Sequence, residues 1–330
     1  MKFGAVTLAE AQGAILAHSV AVAGTRLRKG LTLKSADLAA LAEAGHSHVT
    51  VARLEPNDLH EDAAALALAR AMVPDPSAAG LQLQPVGTGR VNIVAAAAGV
   101  ARIDSARLHA VNLVDPAITV ASVAPFYRLD PGGMAATVKI IPYGVDKDHV
   151  SRACDAGHAA LELALPQLRT AVLIETSLGA QPGKGHRVTA ERLARLGVAL
   201  AAPIRVAHDE AALAEALTQA QADLILVLTA SATSDIHDTA PQALRHAGGY
   251  VAHFGMPVDP GNLLFVGTLK GRPVVGLPGC AKSPALNGAD WVLERLICGI
   301  AVSGADIQGM GVGGLLKEIP SRPRPRAIRD

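Results

Sequence analysis

A chain of 330 residues, 50% hydrophobic and only 18% charged, can bury enough apolar surface to offset its conformational entropy and has room for about two domains. That excludes wholesale disorder and small disulfide scaffolds. Thirty Lys and Arg against 29 Asp and Glu leave a net charge of +1, and aromatics are 2%, so neither an overall field nor a set of stacking platforms draws in nucleic acid or an anionic membrane.

Residues 1–165 read as an α+β accessory region in one or more lobes. A helix is expected around Ser35 to Glu43, a strand over Val49 to Leu54 and a second helix around Leu59 to Met72. Short strands are expected at Val91 to Val94 and Thr137 to Ile141. Turns at Pro74-Asp75-Pro76 and Asp130-Pro131-Gly132-Gly133 punctuate them, and the join to the second domain falls between Tyr143 and Pro166.

Residues 166–315 alternate strand and helix, the mark of an α/β domain with a mostly parallel sheet. Thr170 to Glu175 (TAVLIE) and Leu224 to Thr229 (LILVLT) are continuous apolar runs, as strands buried on both faces require. Helical spacing marks Val188 to Leu196, closed by Gly197, and Glu210 to Ala220. A helix near Pro241 to His246, closed by Gly248-Gly249, a strand at Pro273 to Leu277 and a helix from about Pro284 complete the pattern. Residues 316–330, with Arg322, Arg324, Arg326 and Arg329 among prolines, read as a flexible basic tail.

In such a sheet ligands bind beyond the carboxyl ends of the strands, where helix N-termini present unpaired N–H groups. Three loops stand there. Thr176 to His186 (TSLGAQPGKGH) is glycine-rich, but Gly179 and Gly183 have three residues between them and Lys184 is followed by Gly185, so it fails the spacing of a P-loop. Thr229 to Asp238 (TASATSDIHD) offers hydroxyls at Thr229, Ser231, Thr233 and Ser234 that can cradle a phosphate. Its carboxylates, Asp235 and Asp238, can hold a divalent cation, while Asp238 or Thr239 also suits a helix N-cap. Leu277 to Pro284 (LPGCAKSP) combines Gly279, where backbone can approach a ligand, Lys282 for an anion, and Ser283-Pro284 as cap and first helical residue. Cys280 is either a nucleophile near a helix start or a small packed hydrophobe. The turn Asp259-Pro260-Gly261-Asn262 suits a Pro-Gly type II turn for purely local reasons, and pattern leaves its functional content undecided.

Other chemistries find little. There is no G-x-S-x-G elbow and no H-E-x-x-H. His46 and His48 have no companion ligands, and His237, His246 and His253 lack ligand spacing. Cys154, Cys280 and Cys298 form no C-x-x-C pair and fit a reducing compartment. No apolar run is long enough to span a bilayer, and a cytoplasmic location is expected.

Over about residues 170–300 these loops together resemble the molybdopterin-binding domain of the molybdenum cofactor biosynthesis superfamily. Thr229 to Thr233 stands where the family has T-G-G-T-G or G-G-V-S, and Asp238-Thr239-Ala240-Pro241 is similar to its D-V-T-P. Pro260-Gly261-Asn262 is similar to P-G-K, and Leu277 to Ser283 to L-P-G-N-P-x-S. Stand-alone molybdopterin-binding proteins related to the molybdenumtransferases also share Thr88-Gly89-Arg90-Val91-Asn92, Thr137 to Pro142 and Gly255 to Asn262.

The resemblance implies a three-layer α/β/α domain, often a homodimer, that binds molybdopterin or its nucleotide. Thr229, Ser231, Thr233 and Ser234 would line the phosphate site, with Gly261 and Asn262 beside it and Gly279, Cys280, Lys282 and Ser283 opposite. Asp238, with Asp235, would be catalytic, and Asp238 would hold Mg²⁺ for molybdate or nucleotidyl transfer. The chain departs from the pattern where the T-G-D-E-L of molybdenumtransferases becomes Thr176-Ser177-Leu178-Gly179-Ala180, without either acid. That leaves open a non-catalytic carrier or insertion chaperone serving a molybdenum hydroxylase or a nucleotidyltransferase; nucleotide hydrolysis is the third alternative.

Overall fold

The computed structural model describes residues 1–179 and 184–316. Expectations resting on residues 180–183 of the glycine-rich loop and on the tail 317–330 lie outside the described residues. The chain forms two compact units, Met1–Ala97 with Ala101–Leu163, and Ala98–Val100 with the residues from Ala164 onward.

The first unit is α+β, as the sequence implies. Strands Lys2–Thr7, His48–Arg53 and Ile15–Leu16 pair antiparallel around a small core that includes Leu16, Leu33, Leu41 and Val51. Helix Ser35–Glu43 supplies Leu41. A four-stranded antiparallel sheet, ordered Ile118–Ser122, Met134–Ile140, Arg90–Ala95, Leu81–Gly87, shares a second core with helix Glu61–Met72. The expected helix from Leu59 starts late. Asp58–His60 is a strand paired with Gly144–Asp146, and the His60 ring caps the helix by accepting the Asp62 N–H at 3.3 Å. Helices Ser105–Asn112 and Lys147–Ala156 were not expected from the sequence; each is short and buries only two side chains, Leu108 and Val111 in the first and Val150 and Ala153 in the second.

Two of the segments that resemble the stand-alone binding proteins meet in this unit. The Thr88-Gly89 turn has φ +52° and +72°. A Cβ at Gly89 would lie 2.7 Å from the Ile140 carbonyl oxygen and 2.8 Å from Glu61 Oε2, so only glycine fits there. The Lys139 ammonium donates to the Thr88 carbonyl and lies 3.8 Å from the buried Glu61 carboxylate, whose pKa burial pushes above its ordinary value.

The second unit is a three-layer α/β/α domain. Its elements are β1 (Thr170–Ser177), α1 (Gly185–Ala194), β2 (Ala199–Leu200), β3 (Ile204–Ala207), α2 (Glu210–Gln219), β4 (Leu224–Leu228) and α3 (Thr239–His246). Next in the chain are β5 (Tyr250–Phe254), β6 (Phe265–Leu269), β7 (Arg272–Gly276) and α4 (Gly288–Ile297). The sheet runs β2-β1-β4-β7-β6-β5, with β3 also on β1; β6 pairs antiparallel with both β7 and β5, and the other pairings are parallel.

Every residue of β4 is buried, which is why its sequence is unbroken Leu, Ile and Val. On one face Val172, Ile174, Ile225, Val227, Phe265 and Val274 pack with α2 and α3. The alternate residues, Leu173, Leu226 and Leu228, face the other way. Helix α1 lies on that second side, where a Cβ at Gly185 would come within 2.5 Å of Leu228 Cδ2, and an ion pair from α1 to α4 ties the layer together. The β5–β6 pair was not expected from the sequence. The helix expected from Pro284 instead begins at Gly288. Among the described residues no helix is long and apolar enough to cross a membrane.

Candidate functional site

Parallel pairing of β1, β4 and β7 brings the ends of three strands to one edge. Glu175 pairs with Leu228 and Val227 with Gly276. The Leu277 N–H then donates to the Val227 carbonyl at 2.8 Å, so the loops after β4 and β7 leave the sheet side by side. Because β6 runs against β7, with Phe265 opposite Gly276, the segment 255–264 arrives at the same edge.

The loop after β4 is held from below by Thr176, a buried residue at the end of β1. Thr176 Oγ1 accepts the Ala230 N–H at 2.9 Å and lies 2.9 Å from His208 Nδ1. Beyond that anchor the N–H groups of Ser231, Ala232 and Thr233 have no acceptor among the described residues. Thr229 and Thr233 are only 8% and 7% exposed, yet neither hydroxyl has a hydrogen-bond partner among the described residues. Neither hydroxyl oxygen is among the buried unpartnered side-chain atoms, so both open to solvent from otherwise buried residues. Three successive amides without protein acceptors and two solvent-facing hydroxyls thus lie just ahead of the N-terminus of α3, donors of the kind that an anion can accept from.

The carboxylates of this loop are committed locally. Asp238 is the N-cap of α3, which settles the choice between it and Thr239. Its Oδ1 accepts the Thr239 N–H at 2.7 Å, and its Oδ2 accepts the Ser234 N–H at 2.9 Å and the Ser234 hydroxyl at 3.4 Å. These bonds, chiefly the one from the Ser234 amide, hold its pKa below the ordinary value of 3.8, against the effect of burial. Asp235 Oδ1 accepts the His237 N–H at 2.7 Å, and Ser231 and Asp235 are exposed. Asp238→Ala is expected to cost about 1 kcal/mol of stability at neutral pH, as lost caps do. A group with a depressed folded pKa contributes fully above its unfolded value and loses that contribution as pH falls through the folded value. Urea midpoints of the variant and wild type should therefore differ at pH 7 and converge below pH 3.8; a difference that persists in acid would show that the carboxylate is not the source.

The loop after β7 contains a 3₁₀ turn, Gly279–Lys282. The expected Ser283-Pro284 cap is corrected. Asn287 caps α4, accepting the Ala289 N–H at 3.0 Å, while Asp290 accepts the Asn287 N–H at 2.8 Å in a reciprocal box. Cys280 is half-buried, and its Sγ accepts from Asn287 Nδ2 at 3.1 Å. Lys282 and Ser283 are exposed, and a Cβ at Gly279 would meet nothing within 4 Å, so the space above it is open. Gly261 and Asn262 are used for packing. A Cβ at Gly261 would fall 3.0 Å from the Gly288 backbone, and Asn262 Nδ2 donates to the Met256 carbonyl at 3.3 Å.

Sequence reasoning missed Arg192. Its buried guanidinium meets Asp290 Oδ1 at 2.6 Å and the carbonyls of Ala281, Ser283 and Ala285 at 2.6, 2.7 and 2.9 Å. The signal that could have found it is an arginine at i+4 from Val188 and i−4 from Leu196, on the apolar face of its helix. Among the described residues no three His, Cys, Asp or Glu side chains gather as metal ligands.

A family model described as a domain of unknown function (DUF8806) matches residues 5–53. No curated protein matches the chain. Among solved structures, one similar to it is the molybdopterin biosynthesis MoeA protein from Pyrococcus horikosii, at 12% identity over 90% of this chain and 75% of that one, with a TM-score of 0.31. Another is a molybdenum cofactor biosynthesis protein from Pyrococcus furiosus, at 12% identity over 91% and 66%, with a TM-score of 0.24.

Proposed function

We propose that the second unit binds molybdopterin, or its nucleotide, by the phosphate in the assembly or delivery of the molybdenum cofactor. The observation that carries this reading is the run of N–H groups at 231–233 without acceptors among the described residues, together with the unpartnered, solvent-facing hydroxyls of the largely buried Thr229 and Thr233, at the same sheet edge as the loop after β7. Those features suit a phosphate monoester, and the order of loops suits the family that the sequence resembles. Lys282 and the open face above Gly279 form the opposite wall of the proposed site. Pairing into a homodimer belongs to the same proposal.

Within it we favour a carrier over a transferase. Both Asp238 oxygens already accept N–H donors, so a Mg²⁺ ion there would be held mainly by the ligand's own phosphates, and we derive no step through it. Positions 178 and 179 are Leu and Gly where the resembled transferases carry acids. The test adds molybdopterin to the purified chain, then Mg-nucleotide and molybdate, and follows products by mass spectrometry. Stoichiometric binding without turnover is expected. Turnover would make it a transferase, and absence of binding would end the assignment.

A further inference from the structure

We propose that Arg192 is a positioning residue: from inside the protein it turns the loop after β7 so that the loop's amides face outward as a receptor for a phosphate monoester. This rests on the reading of that loop as one wall of the phosphate site.

The geometry is that of a cation holding backbone by its oxygens. Arg192 and Asp290 side chains are each 6% exposed and 2.6 Å apart. The remaining guanidinium donors take three carbonyls in five residues, those of Ala281, Ser283 and Ala285. In a trans peptide the N–H that comes after a carbonyl points the opposite way. The N–H group of Leu286 therefore faces away from Arg192; that of Lys282 lies within the 3₁₀ turn, and residue 284, being proline, has none. The N–H groups of Gly279, Cys280 and Leu286 have no acceptor among the described residues. Asp290 extends the same control through the Asn287 N–H, and Asn287 through Cys280 Sγ.

Stability alone does not account for this arrangement. A buried ion pair is commonly no more stabilising than an apolar pair of similar volume, because both charges must be desolvated. What an apolar pair cannot do is hold three carbonyl oxygens. Lysine could keep the charge, but as a compact ammonium it lacks the planar fork that spans the carboxylate and three carbonyls.

The test separates the two roles. Arg192→Met with Asp290→Leu removes both charges, and Arg192→Lys keeps the pair without the fork. Each full-length variant is compared with wild type for its urea midpoint, and for binding of inorganic phosphate and of molybdopterin by calorimetry. The expected result is that the double variant still folds, with a lower midpoint because three carbonyls and the Asn287 N–H lose their partners, and, measured well below that midpoint, loses about tenfold or more in affinity for both probes, the scale of lost charge-assisted amide contacts. Arg192→Lys is expected to fall between. If wild type binds and either folded variant matches its affinity, Arg192 has no positioning role. Should wild type bind neither probe, the phosphate reading itself fails and this proposal falls with it.

Discussion

Thr233→Val is expected to leave the protein as stable as wild type, or slightly more so, while weakening phosphate and molybdopterin binding about 10- to 100-fold. The two effects have opposite signs because the Thr233 hydroxyl, in a residue only 7% exposed, has no partner among the described residues. Removing it costs no internal hydrogen bond and leaves a methyl of the same size in its place, whereas a hydrogen bond to a charged ligand is worth about 1.5–3 kcal/mol. Urea denaturation and calorimetric titration of the same preparation check both halves. A variant that loses stability and keeps its affinity would show that the hydroxyl serves the fold and not a ligand.

The second large effect is expected beneath the same edge, where Phe265 lies across Gly276. The ring is 1% exposed, and a Cβ at residue 276 would fall 1.9 Å from Phe265 Cε1. Gly276→Ala must displace the ring and should cost about 3 kcal/mol, at the upper end of what overpacking costs. Phe265→Ala should cost about 3–5 kcal/mol through the cavity it leaves. Because the two residues touch, combining Gly276→Ala with Phe265→Ala should cost less than the sum of those single changes. Denaturation midpoints measure this directly; strict additivity would mean that the ring and the glycine do not constrain each other.

Much of the second unit was legible because both-face burial leaves a plain trace. Thr170–Ser177 and Leu224–Leu228 are near-continuous apolar runs, and Glu210–Gln219 repeats at helical spacing behind an Asp209 cap. Tyr250–Phe254 was hidden because its side chains alternate only weakly between exposed and buried and its partner, Phe265–Leu269, lies beyond a long intervening segment. The start of α4 was misplaced because Ser283-Pro284 satisfies a local rule, while the decisive signal, Asn287 with Asp290 three residues on, satisfies the same rule better through a reciprocal pair of bonds.

The candidate site was legible as residue types, not as roles. Hydroxyls in TASATSD could be named, but which of them the protein leaves unpartnered is settled by tertiary neighbours such as Thr176, 54 residues from the amide it anchors. Arg192 lay further out of reach. An arginine between Arg187 and Arg195 reads as one more surface charge until the carbonyls that surround it, 89 and 91 residues later in the chain, are seen.

The reversal of one strand has its own consequence. Were β6 aligned with its neighbour, the residues leading into it would emerge at the far rim of the sheet, and Gly261 could not touch the first turn of α4. That contact is main chain against main chain, with no side chain between to act as a cushion. Hinge motion at either partner must therefore carry the other with it, and the segment between β5 and β6 cannot swing apart from the start of α4.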